Sequence, residues 1–168
     1  MTAYAYPARI ARAREGGWLI QFRDFPEGHS QAEDGEDIID IAGGLLQACI
    51  EARLLDSMEV DEPSATRTGE VLVSVPLETA TKAALLSAVA STGTSRVALA
   101  KAVNMDEKEI RRMLDPRHSS KLPRLARVLK ALGKELTISV VDAPKPPEVR
   151  ERQAAYRVSR KPKRGSKR

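Results

Sequence analysis

The 168-residue chain is short of several side chains that carry chemistry or hold small folds together. Its one cysteine, Cys49, excludes an internal disulfide and a cysteine-based zinc site. Cys49 stands among Leu45, Leu46 and Ile50, the setting of a buried structural thiol rather than a nucleophile. The two histidines, His29 and His118, lie far apart in sequence, and no serine or cysteine occupies a nucleophile motif. Aromatic residues make up only 4%, so a core must be built mainly from Ala, Leu, Val and Ile. No apolar run approaches the roughly 18–20 residues that a membrane span needs. The start, Met1-Thr2-Ala3-Tyr4, lacks the basic flank and apolar core of a secretory signal. These absences predict a soluble cytoplasmic protein with no membrane segment, no cofactor, no metal site and no catalytic residues. The length suits one large domain or two small ones.

What is present is an uneven distribution of charge. The net charge of +5 conceals a gradient: residues 1–70 hold 6 basic and 14 acidic side chains, a net −8. Residues 71–144 hold 12 and 7, and residues 145–168 hold 10 and 2. An acidic front and a basic back predict two roles on one chain, the first facing a cationic partner and the second a polyanion.

Local patterning divides the chain further. Tyr4 to Arg14 alternates roughly as a half-buried strand does, Glu15-Gly16-Gly17 signals a tight turn, and Trp18 to Phe22 is rich in strand formers. Asp24-Phe25-Pro26-Glu27-Gly28 carries turn chemistry, and His29 to Ala32 reads as a short third strand. Ile38, Ile41, Ala42, Leu45, Leu46, Cys49 and Ile50 keep a 3.6-residue period and predict a helix over 35–54, with Asp34 at its N-cap. The acidic stretch Asp56 to Thr68 reads as a loop, and Val71 to Val75 as another strand ended by Pro76. Helices follow to about residue 133, broken at Gly93, Asn104 and Pro116. Lys134 to Val141 is a further short strand candidate. The expected class is α+β: a β-β-β-α-β unit over 1–75, an all-α unit over 76–141, and a basic tail over 142–168. The tail is too rich in Pro, Lys and Arg to form a core, so it is expected to be disordered in isolation.

The strongest local pattern runs from Val97 to Leu114. Two short helices crossing at a sharp angle need a small residue at the crossing, which Ala100 supplies, and a residue tolerant of left-handed geometry at the turn, which Asn104 supplies. Leu99, Val103, Met105, Ile110 and Met113 are spaced as inward anchors. This is the pattern of a helix-turn-helix, although the same geometry also serves as plain helix packing. In the DNA-binding reading Lys108, Arg111 and Arg112 face outward from the second helix toward bases, while Asp106, Glu107 and Glu109 oppose phosphate affinity. Thr94, Ser95, Arg96, Arg117, Ser119, Ser120 and Lys121 are the candidate phosphate contacts, with Ser119 or Ser120 also a candidate cap for the helix from Leu122 to Leu132. If the tail neutralised about four phosphates it would add a sequence-blind term, with a salt slope of roughly −0.9 per phosphate.

The run from Gly17 to Ser30, GWLIQFRDFPEGHS, resembles the signature of HicB antitoxins. The helix from Glu36 to Arg53, the Glu62-Pro63-Ser64 loop, Val73 to Leu77, and Lys82-Ala83-Ala84-Leu85-Leu86 continue in that family's order. The resemblance covers about residues 3–135. It implies a reduced ribonuclease-H-like domain that binds a HicA-like toxin (a small basic RNA-cleaving protein) and a helix-turn-helix domain that represses the shared operon at operator DNA. A palindromic operator implies a homo-oligomer, a dimer or tetramer. Trp18, Phe22, Arg23, Asp24, Phe25 and Pro26 are the candidate toxin contacts, although Trp18 and Phe22 share strand parity and can both face the covering helix. Two other readings stand beside this one. The first is a stand-alone regulator whose acidic domain senses a ligand or dimerises. The second is an active nuclease, for which the strands bring too few carboxylates together to hold two cations.

Overall fold

The computed structural model describes residues 4–142. Its elements are β1 (Ala5–Arg12), β2 (Trp18–Phe22), β3 (His29–Ala32), α1 (Ile38–Leu55), β4 (Glu70–Ser74), α2 (Leu77–Thr92), α3 (Arg96–Val103), α4 (Glu107–Met113) and α5 (Leu122–Ala131). The fold is mixed α+β, with one antiparallel four-stranded sheet in the order β3-β2-β1-β4.

Strand alternation decides the sheet's two faces. Tyr6, Ala8 and Ile10 of β1 share a face with Trp18, Ile20 and Phe22 of β2, and all six are buried. Ile38, Ala42, Leu46, Cys49 and Ile50 of α1 complete this core. The opposite face carries Arg9, Leu19, Gln21, Gln31 and Leu72, all exposed. The β1–β2 turn closes with the Ala13 N–H donating to Gly17 O at 3.1 Å. Gly17 has φ +73°, and a Cβ there would stand 2.5 Å from Ala32 O, so neither backbone nor space admits another residue.

A second core joins Leu85 and Ala88 of α2 to Leu99, Ala100, Val103, Ile110, Met113, Leu125, Val128 and Leu129. Helix α2 belongs to both cores, because its Ala83 packs with the sheet cluster. α5 ends in a Schellman arrangement: the Gly133 N–H donates to Lys130 O and the Lys134 N–H to Leu129 O, each at 3.0 Å.

Three expectations need correction. Asp34 is not the cap of α1. It pairs with Arg12 across the hairpin, and Asp37 caps the helix instead, accepting from the Ile39 and Asp40 N–H groups. Neither Ser119 nor Ser120 caps α5: the helix starts one residue later, with Lys121 at the cap position and without a side-chain bond, while the Ser119 hydroxyl donates to Glu78 and the Ser120 hydroxyl to His118 O. Lys134 to Val141 forms no strand, since among the described residues it has no neighbouring strand to pair with. The tail expected over 142–168 lies, from residue 143 on, outside the described residues.

Candidate functional sites

The first candidate site is the turn after β2. The chain doubles back there with the Gly28 N–H donating to Phe25 O at 2.7 Å and the Phe22 N–H donating to Gly28 O at 3.3 Å. This drives Phe25 inward, where it is fully buried with its ring edge-on to Tyr6, centroids 4.9 Å apart. The Arg53 guanidinium from α1 covers the Phe25 ring at 4.2 Å, donates to Asp24 O, and pairs with Glu27 at 2.7 Å. The bond from Arg53 holds the Glu27 carboxyl below the usual carboxylate range.

Asp24 and Arg23 tie this turn to the long loop before β4. The Asp24 carboxylate accepts from Ser64 Oγ at 2.6 Å and from the Ser64 N–H at 3.0 Å. Arg23 donates to Glu70, Ser64 Oγ and Ala65 O. Tyr6 reaches the same loop, its hydroxyl donating to Asp61 O at 2.7 Å, and burial pushes its pKa up to about 12. Trp18, Phe22 and Phe25 therefore shape the surface from inside, and Arg23 and Asp24 brace it, while Pro26 and Glu27 form its exposed tip. Composition and period do not reveal Arg53, Ser64 and Glu70 as partners, because these bonds span 29 to 47 positions of sequence.

Gly28 is buried where a Cβ would come within 2.7 Å of Cys49 Sγ and 3.1 Å of Phe25 O. Gly28→Ala is expected to destabilise the fold by about 1–3 kcal/mol through overpacking. The same change in a Cys49→Ala background should cost measurably less in urea unfolding. An equal cost in both backgrounds would place the clash on Phe25 O instead.

The second candidate site lies on α3, α4 and the segment that follows. α3 ends at Asn104, which adopts the left-handed conformation with φ 50°, and its N–H caps the helix. Ser95 caps the start of α3 by accepting from the Ala98 N–H, and Asp106 caps α4 by accepting from the Lys108 N–H. Ala100, Leu99, Val103, Ile110 and Met113 are buried. Lys108, Arg111 and Arg112 are exposed on α4, and Arg96 is exposed at the start of α3.

α2 fixes the segment between α4 and α5. The Lys82 side chain is 2% exposed, and its ammonium donates to the carbonyls of Asp115, Pro116 and His118. Desolvation lowers its pKa, with Glu78 and Asp115 acting in the opposite direction. One helical turn earlier, Glu78 accepts from Ser119 Oγ and from the Ser120 N–H. Sequence reasoning missed this clamp. Glu78 and Lys82 pair at 3.8 Å at the i,i+4 spacing, but only Lys82 is buried, and its ammonium turns onto backbone carbonyls that the spacing alone does not reveal.

Lys108, Arg112, Ser119, Ser120 and Lys121 are brought together around one depression of about 430 Å³ between α4 and the start of α5. Thr94, Ser95, Arg96, Arg111 and Arg117 are not among the residues that line it. The Thr94 hydroxyl bonds Thr92, and the Arg117 N–H bonds the Asp115 carboxylate. Glu109, also at the depression, is ion-paired with Arg124. Among the described residues, no three His, Cys, Asp or Glu side chains gather as a metal site, and no single helix is long and apolar enough to cross a membrane.

Comparison with known proteins places the chain first among antitoxins. Residues 5–84 match the family described as the HicB-like antitoxin of bacterial toxin-antitoxin system. An "Antitoxin HicB 1" of Photorhabdus laumondii is 30% identical over 135 residues, covering 80% of this chain and 86% of that protein. "Antitoxin HicB 2" of the same organism is 32% identical over 136 residues, covering 81% and 96%. "Antitoxin HicB" of Escherichia coli is 29% identical over 136 residues, covering 81% and 99%. The chain belongs to the HicB antitoxin family.

Proposed function

We propose that this antitoxin neutralises a small, basic, HicA-like RNA-cleaving toxin through residues 1–75 and represses its own operon through a helix-turn-helix over residues 76–141. The observation that carries the repressor half is the pairing of α3 and α4 about left-handed Asn104, with Lys108, Arg111 and Arg112 on the exposed side of α4. α4 then enters the major groove. Arg96, Arg117, Lys121 and the hydroxyls of Ser95 and Ser120 are assigned to phosphates, and the Thr94 and Ser119 hydroxyls, which donate to Thr92 and Glu78 in the free chain, would have to turn to join them.

For the toxin half, the net −8 of residues 1–70 suits the basic RNA-binding surface of such a toxin, since opposed charge speeds encounter and discourages wrong partners. In this reading the first half is a reduced ribonuclease-H-like unit. Its turn tip at Pro26 and Glu27 meets the toxin directly, with Arg23 and Asp24 holding the loops in register behind it. A nuclease reading gains no support from Asp24, whose two carboxylate oxygens are both engaged by Ser64.

The test is affinity capture of the full tagged chain from its native cell. A stoichiometric small basic protein, together with DNA from upstream of the gene, is the expected result. DNA alone would favour a stand-alone regulator, and metal-dependent RNA cleavage by the pure chain would favour the nuclease.

A further inference from the structure

One wall of the depression between α4 and α5 is held from behind by α2. Lys82, 2% exposed, binds the carbonyls of Asp115, Pro116 and His118 through its ammonium, with Asp115 O at 2.8 Å. Glu78 holds the next two residues, accepting from Ser119 Oγ at 3.2 Å and from the Ser120 N–H at 2.5 Å. Burying an ammonium is costly unless its hydrogen bonds are met, and here every carbonyl that meets them belongs to this short segment. The wall formed by His118, Ser119 and Ser120 is therefore in place before any ligand arrives, which spares binding the cost of ordering it.

The cations around the depression exceed what the chain neutralises there. α4 contributes Lys108 and Arg112, and the start of α5 contributes Lys121 and Arg124. Arg124 is paired with Glu109, which links the two helices. Asp106 accepts from the Lys108 N–H as the cap of α4. Lys108, Arg112 and Lys121 make no ion pair among the described residues. Three like charges lining one depression repel one another, and an anion between them replaces that repulsion with charge-assisted hydrogen bonds. The volume, about 430 Å³, falls in the range of small-molecule sites, and buried Met113 supplies an apolar contact.

The chemistry such a site recognises is a phosphate oxyanion, which has two sources: a DNA backbone or a free phosphate compound. Charge separates them. A backbone phosphate carries a single negative charge, enough for one of the three cations. A terminal phosphate carries about −1.5 to −2 near neutral pH, and a second phosphate linked to it brings the total close to that of the three cations.

We propose that the depression between α4 and α5 binds a free di- or triphosphate, with Lys108, Arg112 and Lys121 on its oxygens. The consequence for repression rests on the DNA reading given above. Lys108 and Arg112 are drawn onto the anion and away from bases, so the ligand and the operator exclude one another.

Titration of the full chain with inorganic pyrophosphate, followed by amide NMR, tests the site. Saturable shifts concentrated at Lys108, Arg112, Ser119, Ser120 and Lys121 are expected, with a dissociation constant below about 1 mM. Arg112→Gln and Lys121→Gln should each weaken binding about tenfold, the loss of one charge-assisted contact. Glu109→Gln should instead tighten it several-fold by freeing Arg124, a gain that damage to the fold does not produce. Shifts scattered over all basic surfaces, or equal affinity in Arg112→Gln and the parent chain, would overturn the proposal. So would loss of DNA affinity in Lys121→Gln without any pyrophosphate binding, which would assign the depression to backbone phosphate. Pyrophosphate should also displace the upstream duplex more strongly than chloride at equal ionic strength. Saturable pyrophosphate binding by a chain without DNA affinity would sink the repressor reading and leave the anion site intact.

Discussion

Replacing Arg111 and Arg112 together with alanine should weaken binding to the DNA upstream of the gene by about 100-fold, at about 1–3 kcal/mol for each base-contacting arginine. Both side chains are exposed on α4, and neither takes part in an ion pair recorded among the described residues. Their loss should therefore change folding stability by no more than about 0.5 kcal/mol. Toxin capture should be unaffected, because neither residue touches the sheet core. Electrophoretic mobility shift with the upstream duplex, beside capture of the partner, reads both quantities at once. Unchanged DNA affinity would remove α4 from the interface, and a parallel loss of both activities would point to damage to the fold.

Phe25→Ala carries the largest expected cost in the front half. Its ring is fully buried, meets Tyr6 edge-on at 4.9 Å and Phe22 at 6.4 Å, and supports the Arg53 guanidinium. Truncation should cost about 3–5 kcal/mol in urea unfolding, the range for a buried phenylalanine. Partner binding is expected to fail with it, because Arg53 loses the surface that aims it at Asp24 O and Glu27. Pro26→Ala separates contact from support. It is exposed, so stability should move by only about 0.5 kcal/mol, and a loss of toxin affinity would then mark a direct contact. Toxin binding at full strength by a stably folded Phe25→Ala chain would show that the turn's shape is irrelevant to the partner.

The parts of the fold visible in sequence are those set by period and local turn chemistry. The alternation in Trp18 to Phe22 placed both aromatic side chains on one face, and both are in the core. The 3.6-residue spacing from Ile38 to Ile50 gave α1, and Asn104 stands in the left-handed conformation where its type suggested. What was hidden depends on distant partners. Asp34, Glu36 and Asp37 all suit a helix start by type, and the choice between them was made by Arg12, which draws Asp34 across the hairpin. Ser119 and Ser120 suit a cap by type, but Glu78, more than 40 positions away, holds this segment through the Ser119 hydroxyl and the Ser120 N–H, and the helix starts after them. A strand pattern such as Lys134 to Val141 reports what a segment prefers, whereas a strand exists only where another strand supplies hydrogen bonds. Of the candidate sites, the outward cations of α4 were legible as a helical face. The Arg53 and Lys82 networks were not, because a lone basic residue among apolar neighbours carries no mark of the carbonyls it will meet.

Lys82 bears on how the molecule comes apart. α2 gives Ala83 to the sheet core and Leu85 and Ala88 to the helical core, and its Glu78 and Lys82 hold the segment before α5. A cut at Pro76 would therefore strip the sheet of part of its cover and deliver a helical fragment with an apolar patch on α2. Native-state hydrogen exchange should reflect this as a shared opening event: amides near Lys82 on α2 should exchange with the slowest class in both cores, because neither core can open fully while that helix stays in place.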